Sequence, residues 1–139
     1  MSTNKTFAMI KPTAFRKGYH GHILNKITEA GFRLSALKMI KISRDKACLF
    51  YAVHKDKPFF DELVDFISSD PVIVMILEKE NAVKDFRELI GSTNPEFAKE
   101  GTIRKLYATD LLQNAIHGSD CDENALIESD FFFSVFERC

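Results

Sequence analysis

Val72-Ile73-Val74-Met75-Ile76-Leu77 is the most apolar run in the chain, and the fold is read outward from it. It is apolar at every position rather than at alternate ones. That is the pattern of a strand covered on both faces, so it belongs at the centre of a sheet. Ser68-Ser69-Asp70-Pro71 separates it from what precedes it. Phe7-Ala8-Met9-Ile10 repeats the pattern and is stopped by Lys11-Pro12, which predicts a second central strand.

The segments between and beyond these runs have helical or strand periods. Ile23, Leu24, Ile27 and Ala30 share one face of a helix from about His20, with Gly31 as its C′ residue. Phe32 to Ile42 reads as a strand whose alternation slips near Leu37, and Lys38 and Lys41 mark it as an edge strand. Ser43 can cap a helix carrying Ala47, Phe50, Tyr51 and Val53. A helix from Pro58 buries Phe60, Leu63, Val64 and Ile67, which leaves Phe59 facing outward. Asn81 caps a helix with Ala82, Phe86, Leu89 and Ile90 inward, closed by Gly91. Residues 92–113 keep no period and read as a long loop, a length that inside a compact domain tends to carry function. A short strand at Ala115-Ile116, a helix from about Asp122 and an aromatic tail, Phe131-Phe132-Phe133, complete the chain. The order predicts an α+β fold, a ferredoxin-like βαββαβ sandwich with a four-stranded antiparallel sheet and added helices.

All 139 residues fit one domain. A hydrophobic share of 45% and a charged share of 28% are those of a folded globular chain. The net charge of -1 supplies no general field for nucleic acid or anionic membrane, so no dedicated nucleic-acid site is expected and any anion must be held by local cations. Met1-Ser2-Thr3-Asn4-Lys5 lacks an apolar signal core, and no run approaches a membrane span. Cys48, Cys121 and Cys139 form no C-x-x-C spacing, which fits reduced thiols and a cytoplasmic location. His20, His22 and His54 have no metal-ligand spacing and read as surface residues. No phosphate-binding G-x-x-x-x-G-K-[ST], no dinucleotide G-x-G-x-x-G and no paired-aspartate metal cage is present.

Chemistry concentrates at Asn114-Ala115-Ile116-His117-Gly118-Ser119-Asp120. A neutral imidazole is a nucleophile that brings no negative charge to an anion, and its free pKa of about 6.5 makes it available at neutral pH. Gly118 would let a bulky ligand approach the backbone, and Ser119 and Asp120 suit a helix start. Alone, the stretch supports both a phosphate-facing histidine and a strand end followed by a helix cap. Cations are the natural companions of the first reading. Lys11 ends a strand, with its ammonium emerging at one edge of the sheet; Arg87 lies on a helix, and Thr93 and Arg104 lie in the long loop. An outward Phe59 can stack a base or pack, Tyr51 can donate a hydrogen bond or pack, and Glu128 can hold the second imidazole nitrogen or be solvated.

The heptapeptide resembles the signature of nucleoside diphosphate kinases. The resemblance runs along the chain through Thr6 to Pro12, Gly31-Phe32-Arg33, Tyr51 and Lys57-Pro58-Phe59-Phe60, then Pro71-Val72, Thr93-Asn94-Pro95 and Gly101-Thr102-Ile103-Arg104. It implies Mg²⁺-dependent, ping-pong transfer of a γ-phosphoryl group from ATP or another nucleoside triphosphate to a nucleoside diphosphate, deoxy forms included. It implies that His117 is the phosphohistidine, oriented by Glu128, with Lys11 and Tyr51 meeting the transferring group and Ser119 supporting the site. Arg87, Thr93 and Arg104 would hold phosphates, Asn114 and Lys11 the ribose 3′-hydroxyl, and Phe59 the base, with little base preference. Magnesium would ride on the nucleotide's phosphates, with no direct protein ligand. Family members form tetramers or hexamers, and the tetramer is expected here. The chain departs from the family at Leu112-Gln113, where many members carry Gly-Arg.

Overall fold

The computed structural model describes residues 4–139. Residues 1–3, part of the stretch read as lacking a signal core, lie outside the described residues. The two apolar runs become β1 (Lys5–Ile10) and β3 (Val72–Glu78), side by side at the centre of a four-stranded sheet. β2 (Arg33–Ile40) flanks β3 and β4 (Ile116–Gly118) flanks β1, giving the order β2-β3-β1-β4 with every pair antiparallel. Connected by the helices below, this is the ferredoxin-like α+β arrangement expected from the order of elements.

The unbroken apolarity of the central strands has a direct cause, because each face of the sheet carries its own core. Phe7 and Met9 on β1 join Val72, Val74 and Ile76 on β3 in one cluster. Ala8 and Ile10 join Ile73, Met75 and Leu77 in the other. Strand side chains alternate between faces, so a sheet covered on both sides needs apolar residues at every position. On the Ala8 face lie α1 (Pro12–Arg16), α2 (His20–Glu29), α5 (Ala82–Ile90) and α6 (Ile103–Tyr107), contributing Ala14, Ile23, Ile27, Phe86, Ile90 and Ile103. On the Phe7 face lie α3 (Arg44–Phe50), α4 (Phe60–Ile67) and α7 (Asp122–Phe132).

Several local expectations are corrected. The register slip in β2 falls between Leu34 and Ala36, not near Leu37. Both Ser35 and Ala36 are buried there, as a bulge that spends an extra residue requires. Val53 is exposed instead of inward, because α3 ends at Phe50 and a 3-10 turn, Ala52–His54, swings it out. α4 begins two residues beyond Pro58, at Phe60. Asn81 holds the cap position of α5 without a side-chain cap bond, its backbone being left-handed at φ 55°. Residues 92–113 are not featureless: they hold a 3-10 turn at Pro95–Phe97 and the helix α6, both too short to leave a periodic signature. Phe131 and Phe132 belong to α7 rather than to a tail. Thiols Cys48, Cys121 and Cys139 are free, and among the described residues no helix is long and apolar enough to cross a membrane.

Leu112 adopts no positive φ and packs against the Phe7-side core. Gln113 accepts a hydrogen bond from Thr13 Oγ1 at 2.6 Å and donates its backbone N–H to Asp110 at 2.8 Å. The long connection is thereby tied to α1 through the Gln113 side chain.

Candidate active site

β4 is an edge strand of three residues, Ile116–Gly118, and its alternation places its middle residue. Ile116 joins the Ala8-side core, and a Cβ on Gly118 would meet Phe86 Cδ2 at 2.9 Å and Ile90 Cδ1 at 3.1 Å on that same side. Gly118 is therefore demanded by the closeness of α5, not by an approaching ligand. His117 is left on the opposite face, paired with Met9 in the sheet and flanked by the rings of Phe7 and Phe50 at centroid distances of 5.9 and 5.8 Å.

α7 returns beneath β4 and brings Glu128 to the imidazole. His117 Nε2 and Glu128 Oε1 are 3.0 Å apart, and Ser119 Oγ donates to the same oxygen at 2.5 Å. A carboxylate accepts, so Nε2 carries the proton and the Nδ1 lone pair is free; among the described residues nothing bonds it. Ser119 is thus committed to Glu128 rather than to capping, and Cys121 occupies the cap position of α7. Asp120 accepts from Asn124 at 2.6 Å, a bond that holds its carboxyl below the usual range. Tyr51 is buried, with its hydroxyl unpartnered. Burial, then the charge of Glu128, pushes its phenol above its ordinary value and keeps it a proton donor.

A cationic group lies alongside. Lys11 is buried at the end of β1 instead of emerging into solvent, and its Nζ donates to Asn114 Oδ1 at 2.7 Å. Asn114 Nδ2 in turn reaches the Thr93 carbonyl at 3.4 Å. Burial, reinforced by the Arg104 charge, lowers the Lys11 ammonium to about 7. Arg104 is buried too. Its guanidinium donates to the Gly91 and Ile116 carbonyls at 3.1 and 2.8 Å, while its Nε has no partner. Burial and the nearby Arg87 lower it to about 10, so it stays charged at neutral pH. Arg87 and Thr93 are exposed. Gly91 permits this closeness through a φ of 89°, where a Cβ would lie 2.6 Å from Thr102 Oγ1.

A strained turn joins the two halves. Ala115 has φ 75°, and Ile116 N donates to Asn114 O at 2.9 Å across it, a three-residue turn rare for an L-residue. This turn carries the chain from the Lys11 partner to His117 within three residues. Phe59 is 43% exposed, its ring 5.8 Å from His54, while Phe60 packs inward. His54 lies 6.3 Å from Tyr51, so a line of rings leads from Phe59 towards Phe50 and His117. His20 is half-buried against Phe15 rather than a surface residue. Phe50 was legible in the sequence only as a core position; its place against His117 depends on how α3 packs.

The sequence pattern of the family "Nucleoside diphosphate kinase" matches residues 4–138. The chain belongs to the nucleoside diphosphate kinase family. It is 54% identical over 138 residues to the nucleoside diphosphate kinase of Flavobacterium psychrophilum, covering 99% of each chain. To that of Lawsonia intracellularis it is 53% identical over 133 residues, covering 96% of each. The fold superposes on the Aquifex aeolicus nucleoside diphosphate kinase with a TM-score of 0.95 at 44% identity, covering 98% of this chain and 99% of that one. The Halobacterium salinarum nucleoside diphosphate kinase, solved in complex with CDP, gives 0.92 at 38% identity, covering 99% and 91%. As a nucleoside diphosphate kinase family member, the chain is a phosphotransferase working on nucleotides with a divalent metal. Among the described residues no three His, Cys, Asp or Glu side chains gather as a metal site.

Proposed function

We propose that this chain transfers the γ-phosphoryl group of a nucleoside triphosphate to a nucleoside diphosphate through a phosphohistidine on His117. The observation that carries the reading is the His117 Nε2–Glu128 Oε1 contact of 3.0 Å, because it leaves Nδ1 as the free nucleophile. In the first half-reaction the Nδ1 lone pair attacks the γ-phosphorus. The bond to the bridging oxygen breaks, and its electron pair leaves with the nucleoside diphosphate. The Nε2 proton stays on the ring, and Glu128 stabilises the cation so formed, as a carboxylate does for a histidine in a triad. A second diphosphate then attacks phosphorus through its terminal oxygen, the P–N bond breaks, and the imidazole is restored. One covalent site thus serves donor and acceptor in turn.

Little covalent work is left to the protein beyond positioning and charge stabilisation. Lys11 and the protonated Tyr51 hydroxyl meet the transferring group, and Arg87, Thr93 and Arg104 hold the remaining phosphates. Asn114, with Lys11, takes the ribose 3′-hydroxyl, and Ser119 steadies Glu128. The unpartnered Tyr51 hydroxyl and Arg104 Nε support this, being donors that lack an acceptor within the described chain. A Mg²⁺ ion would be held by the nucleotide's own phosphates rather than by protein side chains, and would supply charge neutralisation there. Phe59 stacks the base through its exposed ring. A π-face is common to all bases, so ATP, GTP and the other ribo- and deoxynucleotides are substrates. The enzyme works in the cytoplasm as a single-domain homo-oligomer, a tetramer rather than a hexamer.

The test is intact-mass measurement after incubation with Mg·ATP. We expect one added phosphoryl group, lost in acid and discharged by GDP. Absence of the adduct in the wild type, or its persistence in His117→Ala, would refute the mechanism.

A further inference from the structure

We propose that Phe50 is a positioning residue for the proposed phosphoryl carrier: its ring holds the His117 imidazole in the attacking orientation. The inference rests on the phosphohistidine reading and adds a residue to it. Glu128 contacts the imidazole at one atom, Nε2. One hydrogen bond sets a direction but lets the ring roll about it, and rolling swings Nδ1 out of line with phosphorus. Two aromatic rings remove that freedom. Phe7 lies 5.9 Å from the imidazole at an interplanar angle of 58°, and Phe50 lies 5.8 Å away at 74°. Both spacings fall within the range of favourable edge-to-face contact.

The two rings differ in what holds them and in what they can tolerate. Phe7 is wholly buried in central strand β1 and stacks on Phe132 at 5.3 Å and 5°, so it belongs to the core. Phe50 is half-buried at the last residue of α3, where it is wedged by Phe132 at 5.2 Å, Phe131 at 5.4 Å and Tyr51 at 4.9 Å. A ring braced on three sides by other rings transmits their rigidity to the imidazole. It also couples the histidine to Tyr51, the next residue in the chain. Loss of this wall leaves the Glu128 contact in place but releases the roll. In-line geometry is costly to lose: a misplacement of about 1 Å lowers a positioned reaction by about 100-fold.

The experiment compares wild type, Phe50→Leu, Phe50→Met and Phe50→Tyr in rapid-quench phosphorylation by Mg·[γ-³²P]ATP, with ADP affinity measured separately. Phe50→Leu and Phe50→Met are expected to slow phosphoryl transfer to the enzyme by roughly 10-fold or more with ADP affinity unchanged. Phe50→Tyr, which keeps the ring, is expected to restore the rate to within about twofold. ¹⁵N spectra of the imidazole should show one ring environment in wild type and exchange-broadened signals in the leucine variant. A wild-type rate in both aliphatic variants, an equal loss of ADP affinity, or no rescue by tyrosine would each overturn the role of Phe50 while leaving the phosphohistidine standing. Absence of phosphoenzyme in wild type itself would overturn both.

Discussion

Nucleotide binding should consume a proton at Lys11. In the ligand-free chain, burial and the Arg104 charge lower this ammonium to about 7, with Asn114 Oδ1 its hydrogen-bond partner. A polyphosphate brings negative charge that favours the ammonium and returns it towards the ordinary 10.5. At pH 8 a group titrating at about 7 is about nine-tenths neutral, so binding should take up about 0.9 proton, against about 0.1 at pH 6. Affinity should then weaken about tenfold per pH unit above 7, or roughly 1.4 kcal/mol per unit. Stability of the free chain moves the other way. Between about 7 and 10.5 the unfolded lysine holds a proton that the folded one has lost, so unfolding free energy rises with pH in that window. The assay is titration calorimetry with ADP at pH 6 and pH 8 in buffers of different ionisation enthalpy, on wild type and Lys11→Gln. The difference between the two chains cancels the nucleotide's own protons. Equal uptake at pH 8 in both chains would show that Lys11 is already charged when buried and refute the reasoning.

Gly118→Ala should destabilise the fold by about 1–3 kcal/mol through overpacking, since its Cβ would lie 2.9 Å from the Phe86 ring. Differential scanning calorimetry should record a melting point several degrees lower, and Phe86→Leu in the same chain should recover part of the loss; unchanged melting would show that α5 can withdraw. Phe59→Ala should raise KM for ADP, GDP and CDP alike by roughly 10-fold, the stacking of one base contributing about 1–3 kcal/mol. A loss confined to one base would mean that Phe59 reads the base edge rather than its face.

Central strands, edge strand and chain order were legible because they depend on local pattern. Val72 to Leu77 and Phe7 to Ile10 are apolar at every position, and only a sheet with two covered faces asks for that. Two lysines marked β2 as an edge, and Gly31 and Gly91 closed helices where their positive φ is now found. The matching order of motifs identified the family. Short elements such as α6, spanning Ile103–Tyr107, escaped because one turn and a half of helix leaves no period to read.

Tertiary structure alone decided what each candidate residue touches. The Lys11 ammonium turned out to be buried because β1 is central and Asn114, 103 residues away, accepts its hydrogen bond. Gly118 looked like room for a ligand and proved to be room for Phe86. Ser119, equally suited to a helix cap, serves Glu128 instead because α7 starts at Asp122. Phe50, indistinguishable from any inward helical phenylalanine, stands against His117. Periodicity and capping act between neighbours in the chain and can be read from it. Burial, charge coupling and close approach arise between segments far apart in sequence, and only their packing in three dimensions determines them.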